Sequence, residues 1–434
     1  MAIVRPFSAL RFTKAAGEID ALVCPPYDII GEAQRQALLA RSEHNIVRLE
    51  LPGGDYAGAG NTLRDWCAAN VLACDQTPAF YVYEIGFDGQ AVAGIVARVH
   101  LEDFAAGVIL PHEETLSKAK DDRWRLMNAT NANFSAIYAL YRDEQPLDLA
   151  ALTTNVPPLY DFVDDADLHQ RLWAVTDTAA VAAIAARFAQ KKLYIADGHH
   201  RYETALRYRD AAPDNAARQY VMMMLAEMTH PGLAVHPTHR LVRDVPAFDA
   251  AALLRRCEEH FDLRALPLDE AQTALTRAYD EGKKAFVFYS RPSGVSPATP
   301  ADTPVSADAS PAAANGKTAV LLTLRDVHAM DAILPTLAPA SRGLDVRVLH
   351  TLILEPLLGI DSANMAAGSN LTYTRDVQEA VAGVDSGLYQ AAFLMNPTRI
   401  SEICDVAAAG EKMPQKSTYF YPKLLTGLTM NVLE

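Results

Sequence analysis

The chain has 434 residues, 50% of them hydrophobic and 21% charged, which is the composition of a folded globular protein and excludes global disorder. Its length exceeds one ordinary core, so two or three domains are expected. With 39 basic against 53 acidic residues it carries no chain-wide basic field, and duplex nucleic acid is not an expected partner.

Cys24, Cys67, Cys74, Cys257 and Cys404 are odd in number and lack C-x-x-C spacing, which disfavours a disulfide framework and a structural zinc site and fits a reducing cytoplasm. Arg5 and Pro6 fall where a secretory signal needs an unbroken apolar run. The longest apolar stretches, such as Tyr220 to Leu225 and Ala319 to Leu324, are far too short to cross a bilayer. The expectation is a cytoplasmic protein without a membrane partner.

In chain order, helical patterning at Ile30 to Arg41 and Asn61 to Ala73 alternates with strand-like runs at Ile46 to Leu51, Phe80 to Phe87 and Ala91 to Leu101. Asp88-Gly89 between the last two is a hairpin signal. A helix is expected after Asp121-Asp122, because acids suit a helix start, followed by a strand over Phe134 to Tyr141. Ala179 to Gln190 reads as helix, Lys192 to Ala196 as a short buried strand, and Gly198 opens a helix running to Arg209. Arg291 to Lys317 is dominated by Pro, Ala, Ser, Thr and Asp and is expected to be a flexible linker or long loop. It reads equally as an insertion between paired strands, since Lys284 to Ser290 and Ala319 to Leu324 flank it. Beyond it, Asp345 to Leu357, Val377 to Val384 and Thr398 to Ala408 read as helices and Gln390 to Leu394 as a strand. Without a steady βαβ period, the class is α+β.

Four groups of residues could carry chemistry. In Ala196-Asp197-Gly198-His199-His200-Arg201 a buried strand ends in Asp-Gly and a helix opens at once. Glycine allows close backbone approach, the first-turn amides point outward, and Arg201 offers a fork for phosphate oxygens. The same residues also suit an N-capping aspartate with surface histidines, and spacing alone does not separate the two. In His112-Glu113-Glu114-Thr115-Leu116-Ser117-Lys118, with Lys120, Asp122 and Arg123 after it, a carboxylate beside a histidine suits a general base and the cations suit an anionic substrate. A capped, charged helix start explains the run as well. His236-Pro237-Thr238-His239-Arg240 could join His199, His200 and Glu203 in a metal site. Lys412 to Lys423, aromatic and bounded by prolines, reads as a ligand-reaching segment or a terminal tie. There is no Walker loop, no nucleophile elbow and no Rossmann glycine fingerprint.

Taken together, Cys24-Pro25-Pro26-Tyr27-Asp28, His112 to Arg123, Ala196 to Tyr202, Pro237 to Arg240 and Met413 to Lys423 resemble, in order and nearly end to end, a family known as domain of unknown function 1015. Through the Asp-Gly-His-His-Arg turn that family is similar to the ParB and sulfiredoxin superfamily and to its free-serine kinases. The resemblance implies a mixed-sheet core of that type at 106–290, with an N-terminal α/β region at 1–105, the linker or insertion at 291–317 and a C-terminal α/β region at 318–434. It implies that Gly198, His199, His200 and Arg201 hold the phosphates of ATP or ADP. Glu113, or its neighbour Glu114, is then the base, and Asp197 and His199 complete the catalytic group. Asp197 is the natural contact for Mg²⁺ or a substrate amine. His112, Lys118, Arg123, His239, Arg240 and Lys416 are candidates to line the substrate or support these groups. A sulfiredoxin reaction is disfavoured, because His200 stands where its cysteine is needed. The leading reading is therefore a kinase of a small hydroxyl compound, with free serine as one candidate acceptor. A nucleotide-binding module like ParB without DNA binding, and a metal-dependent hydrolase, are the alternatives.

Overall fold

The computed structural model describes residues 1–115, 117–291 and 317–433. It forms two compact units, Met1–Ala234 with Phe420–Glu434, and Val235–Tyr419.

The first unit is built on a nine-stranded mixed sheet. Its strands are β1 (Val4–Arg5), β2 (Phe80–Phe87), β3 (Gln90–His100), β4 (Ile109–Leu110), β5 (Ile137–Tyr141), β6 (Tyr160–Val163), β7 (His169–Val175), β8 (Leu193–Asp197) and β9 (Tyr220–Glu227). They lie in the order β4-β8-β5-β9-β3-β2-β7-β6, with β1 on β3. β4 runs parallel to β8 and β5 parallel to β9, while the other pairs are antiparallel. Asp88 and Gly89 take positive φ, +47° and +73°, as a two-residue type I′ turn requires, and place Phe87 opposite Gln90. The run Tyr220–Glu227 is buried at every position, because β9 sits mid-sheet with neighbours on both sides.

Helices α1 (Glu32–Arg41), α2 (Tyr56–Ala68), α3 (Ser117–Thr130), α4 (Leu149–Thr153), α5 (Thr178–Phe188) and α6 (His199–Asp210) complete this unit. One face of the sheet packs Ile95, Ile137 and Ile195 with Ile184 and Phe188 of α5 and Tyr202 and Tyr208 of α6. A second core gathers Leu38, Leu63 and Trp66 with Leu126 of α3 and Met430. The expected strand at Ile46 to Leu51 is instead a short helix, Val47–Glu50. Asn45 decides this: its Oδ1 accepts the Val47 amide at 3.0 Å while its Nδ2 donates to the carbonyls of Ala21 and Val23. The turn is thus nucleated by an Asx turn just before its N-cap Ile46, and its apolar residues fill the second core. Helix α2 starts earlier than its periodicity suggests, because Asp55 caps it through the Gly58 amide at 2.9 Å. The expected tail of that helix, Leu72–Cys74, is a strand paired with Leu10–Phe12.

The second unit carries a six-stranded antiparallel sheet of β10 (His239–Val242), β11 (Phe261–Pro267), β12 (Ala285–Ser290), β13 (Thr318–Leu324), β14 (Leu371–Thr374) and β15 (Ala391–Leu394). Their order is β11-β13-β12-β15-β10-β14. β12 and β13 pair directly, Ala285 opposite Thr323, so the Pro/Ala/Ser-rich stretch joins two neighbouring strands rather than two domains. Residues 292–316 of that stretch, and with them its expected flexibility, lie outside the described residues. The molecule is α+β, as its irregular element order implies. Its units are not the expected segments, for strands of 1–105 and of 106–290 share the first sheet.

Candidate active site

The strand-to-helix turn forms as its residues suggest. β8 ends at Asp197, Gly198 takes φ +95° and ψ +27°, and α6 begins at His199, with the Tyr202 amide donating to the Gly198 carbonyl at 3.0 Å. Glycine is required there twice over, since L side chains disfavour this φ and a Cβ would stand 2.9 Å from Arg201 Nε. By helix geometry the first amides of α6 have no intrahelical acceptor, as at any helix start.

The charges around the turn differ from the expectation. Arg201 donates through Nη1 to the Ala136 carbonyl and through Nη2 to Asp197 Oδ2, both at 2.6 Å, so its fork is spent inside the protein. It is a strut that ties the turn to β5. Asp197 Oδ1 accepts from Lys423 Nζ. Burial pushes the Asp197 carboxyl up, yet Lys423 and then Arg201 hold it well below the usual carboxylate range. Each Asp197 oxygen already carries a cationic donor, which does not fit the role of a Mg²⁺ ligand. Among the described residues no three His, Cys, Asp or Glu side chains gather as a metal site.

The histidines form a linked pair. His112 is fully buried and donates from Nδ1 to the Ile195 carbonyl at 2.6 Å. Its amide donates to His199 Nε2 at 3.2 Å, which puts the His199 proton on Nδ1, and the rings meet edge to face at 4.6 Å. Burial lowers the His112 pKa to about 4 against the opposing pull of the Ile195 bond and Asp197, so the ring is neutral at physiological pH. Glu113 follows, half-buried, while Glu114 is exposed, which favours Glu113 as the inward carboxylate. Glu203 of α6 accepts from Thr115 Oγ1 at 2.7 Å and from Lys120 Nζ at 2.8 Å, pinning the entry of α3 onto α6. His200 is half-buried and its carbonyl accepts from Thr204. The Lys118 side chain lies outside what is described.

Over residues 4–338 the chain matches the family model described as Protein of unknown function (DUF1015). The chain belongs to this family. No curated protein matches it in sequence. Among solved structures it is similar to a free serine kinase in complex with AMP, at 12% identity and a TM-score of 0.36, covering 74% of this chain and 89% of that one. It is also similar to SbnI with a C-terminal truncation from Staphylococcus aureus, at 10% identity and a TM-score of 0.36, covering 78% and 87%. A conserved hypothetical protein from Pyrococcus furiosus matches at 10% identity and a TM-score of 0.34, covering 74% and 93%.

In this DUF1015 protein a further charged cluster, absent from the sequence reading, supports the turn. Arg123, 5% exposed, donates from Nη1 to the Glu50 carbonyl at 2.8 Å and lies 3.3 Å from the Glu50 carboxylate, itself 3% exposed. Ser135 Oγ donates to the same carboxylate at 3.1 Å, and the Tyr27 ring lies 4.0 Å from the guanidinium. Burial raises the Glu50 carboxyl, with Arg123 and Arg201 opposing. Glu50, Arg123, Ser135 and Arg201 line one cavity of about 40 Å³. Arg123, a candidate either to line the substrate or to support the groups that do, is a buried partner of Glu50. Tyr27 sits in the quoted Cys-Pro-Pro-Tyr-Asp motif, but nothing marked Glu50.

The remaining candidates belong to the second unit, and there they act as ties. His239 is buried and accepts the Met395 amide on Nδ1 at 3.1 Å. Arg240, 1% exposed, donates to the carbonyls of Thr238 and Lys416, and Lys416 takes a left-handed φ of +57°. Lys423, in the same motif as Lys416, is the lysine that reaches the turn.

Proposed function

We propose that this protein is a nucleotide-dependent phosphotransferase that moves a phosphoryl group from ATP or ADP to the hydroxyl of a small acceptor, with free serine the first candidate. The observation that carries this reading is the bond from the His112 amide to His199 Nε2, because it fastens the chain entering Glu113 to the first turn of α6. On this reading Glu113 and the first turn of α6 act on the same bound nucleotide.

Phosphoryl transfer needs positioning and charge neutralisation more than covalent chemistry. The α6 amides at His199, His200 and Arg201 receive donor phosphate oxygens, and Lys423 with Arg201 outweighs the single charge of Asp197. Glu113 accepts the proton of the acceptor hydroxyl as its oxygen bonds to phosphorus. The bond from phosphorus to the bridging oxygen breaks, and ADP or AMP leaves. The nucleotide brings its magnesium ion as part of the substrate. The choice of serine rests on the sequence motifs shared with free-serine kinases.

The test is phosphate transfer from ATP and from ADP to serine and a panel of hydroxyl compounds, read by mass spectrometry. Glu113→Gln is expected to keep nucleotide affinity and lose on the order of a hundredfold to ten-thousandfold in kcat. A loss within about threefold would make Glu113 a structural residue. No transfer by the parent protein to any acceptor, with nucleotide still bound, would leave a nucleotide-binding module as the better account.

A further inference from the structure

A second cavity, of about 500 Å³, lies in the first unit away from the turn. β5 separates the two: its start, at Tyr138, pairs with Asp197, whereas its end, Tyr141, lines the cavity. At a rise of roughly 3.3 Å per residue those positions are about 10 Å apart. The volume falls in the range of small-molecule sites.

The sheet supplies the floor. Glu84, Arg171, Trp173, Tyr141 and Glu227 point to one face from β2, β7, β5 and β9, and His230 follows β9. Arg171 pairs with Glu84 and lies 5.5 Å from the Trp173 ring, so those two charges cancel. Asp148 is spent capping α4 through the Ala151 amide. Glu227 is different. It is 5% exposed and accepts from the Thr229 amide at 2.6 Å, the Thr229 hydroxyl at 2.5 Å and the Asp143 amide at 3.4 Å, but no cation pairs with it among the described residues. His230 does not fill that role, for its Nδ1 accepts the Gly232 amide and burial keeps the ring below its usual pKa. Burial, reinforced by Asp143 and Glu227, keeps the neighbouring Tyr141 hydroxyl protonated.

We propose that this cavity is a binding site for a small organic ammonium compound, its charged nitrogen on Glu227 and its apolar body against Tyr141 and Trp173. A buried carboxylate without a counter-ion supplies the acceptor, and the apolar parts of Tyr141 and Trp173 in the same lining favour an organic cation over a hydrated metal ion. The site is independent of the phosphotransferase reading.

Calorimetric titration of the full chain with phenethylamine and 1,4-diaminobutane, with 2-phenylethanol and potassium chloride as controls, tests it. At least one amine is expected to bind, and at least about tenfold more tightly than either control, since a charge-assisted bond is at stake. Glu227→Gln, which keeps an acceptor for Thr229, is expected to weaken amine binding by about tenfold or more. Ala93→Leu, placed in the same cavity from β3, is expected to weaken amine binding by narrowing it. Absence of amine binding, equal binding of the neutral alcohol, or a smaller loss in folded Glu227→Gln would overturn the proposal. If Glu227→Gln does not fold by circular dichroism, undiminished amine binding in Ala93→Leu overturns it instead.

Discussion

Replacing Arg123 by leucine probes the buried cluster that carries the turn. Glu50 would remain 3% exposed with only Ser135 Oγ at 3.1 Å and the more remote field of Arg201 to offset its charge. Breaking one side of such a pair typically costs about 3 to 5 kcal/mol, most of it the stranded charge. At roughly 2 to 4 °C per kcal/mol for a unit of this size, the midpoint falls by about 6 to 20 °C. The assay is tryptophan fluorescence during urea unfolding, because Trp66, Trp124 and Trp173 all lie in the first unit and the second contributes no signal. The Arg123→Leu, Glu50→Gln double variant recovers part of the loss, since the orphaned charge goes too. The pH dependence has a definite sign. Folding raises the Glu50 carboxyl above its unfolded value of 4.5, and losing Arg123 raises it further. Between the unfolded and folded values the native state holds the extra proton, so stability rises as pH falls. The deficit of Arg123→Leu therefore narrows as pH falls toward 4.5. A loss under about 1 kcal/mol, or a double variant as unstable as the single one, would refute the reasoning.

Gly198→Ala forces an L residue to φ +95° and drives a methyl against Arg201 Nε, so a stability loss of about 1 to 2 kcal/mol and weaker ATP or ADP binding by calorimetry are expected. Unchanged nucleotide affinity would count against the turn as a phosphate site. For His112, the folded pKa of about 4 lies below the ordinary 6.5, so the unfolded state binds more protons between them and stability is lost as pH falls through that window. The share is about 3 kcal/mol, and His112→Gln should flatten the stability profile between about pH 6.5 and pH 4; an unchanged slope would mean His112 is not held neutral by burial.

What was legible in the sequence is what local chemistry decides. Asp88-Gly89 demanded a type I′ hairpin, and Asp197-Gly198 demanded a strand end followed by a helix; both are present. The pairing of Asp197 with Arg201 was not legible, because Asp197 ends the strand and the left-handed Gly198 turns the chain before Arg201 enters the helix. The helical turn at Val47–Glu50 was not legible, because the strand preference of Ile46 and Val47 is overruled by the Asn45 Asx turn and a core assembled from distant segments. Nor was Lys423, which lies 226 positions from Asp197 and reaches it only because the last residues of the chain return to the first unit.

The ion cluster at the turn bears on how a phosphate would be received. Two cations around one buried carboxylate are a poor source of stability, since desolvating them offsets much of their attraction. Their arrangement serves position better. Arg201 is held at both ends, by the Ala136 carbonyl and by Asp197, and is not available to turn outward without releasing β5. Lys423 presents an ammonium with three donors on a four-carbon stem. On the proposed reading, Asp197 stores the ammonium beside the α6 amides while no anion is bound, and Lys423 rather than Arg201 is the cation that moves onto the donor phosphate. The fixed geometry of the turn then lies in Gly198 and Arg201, and its exchangeable charge in Lys423.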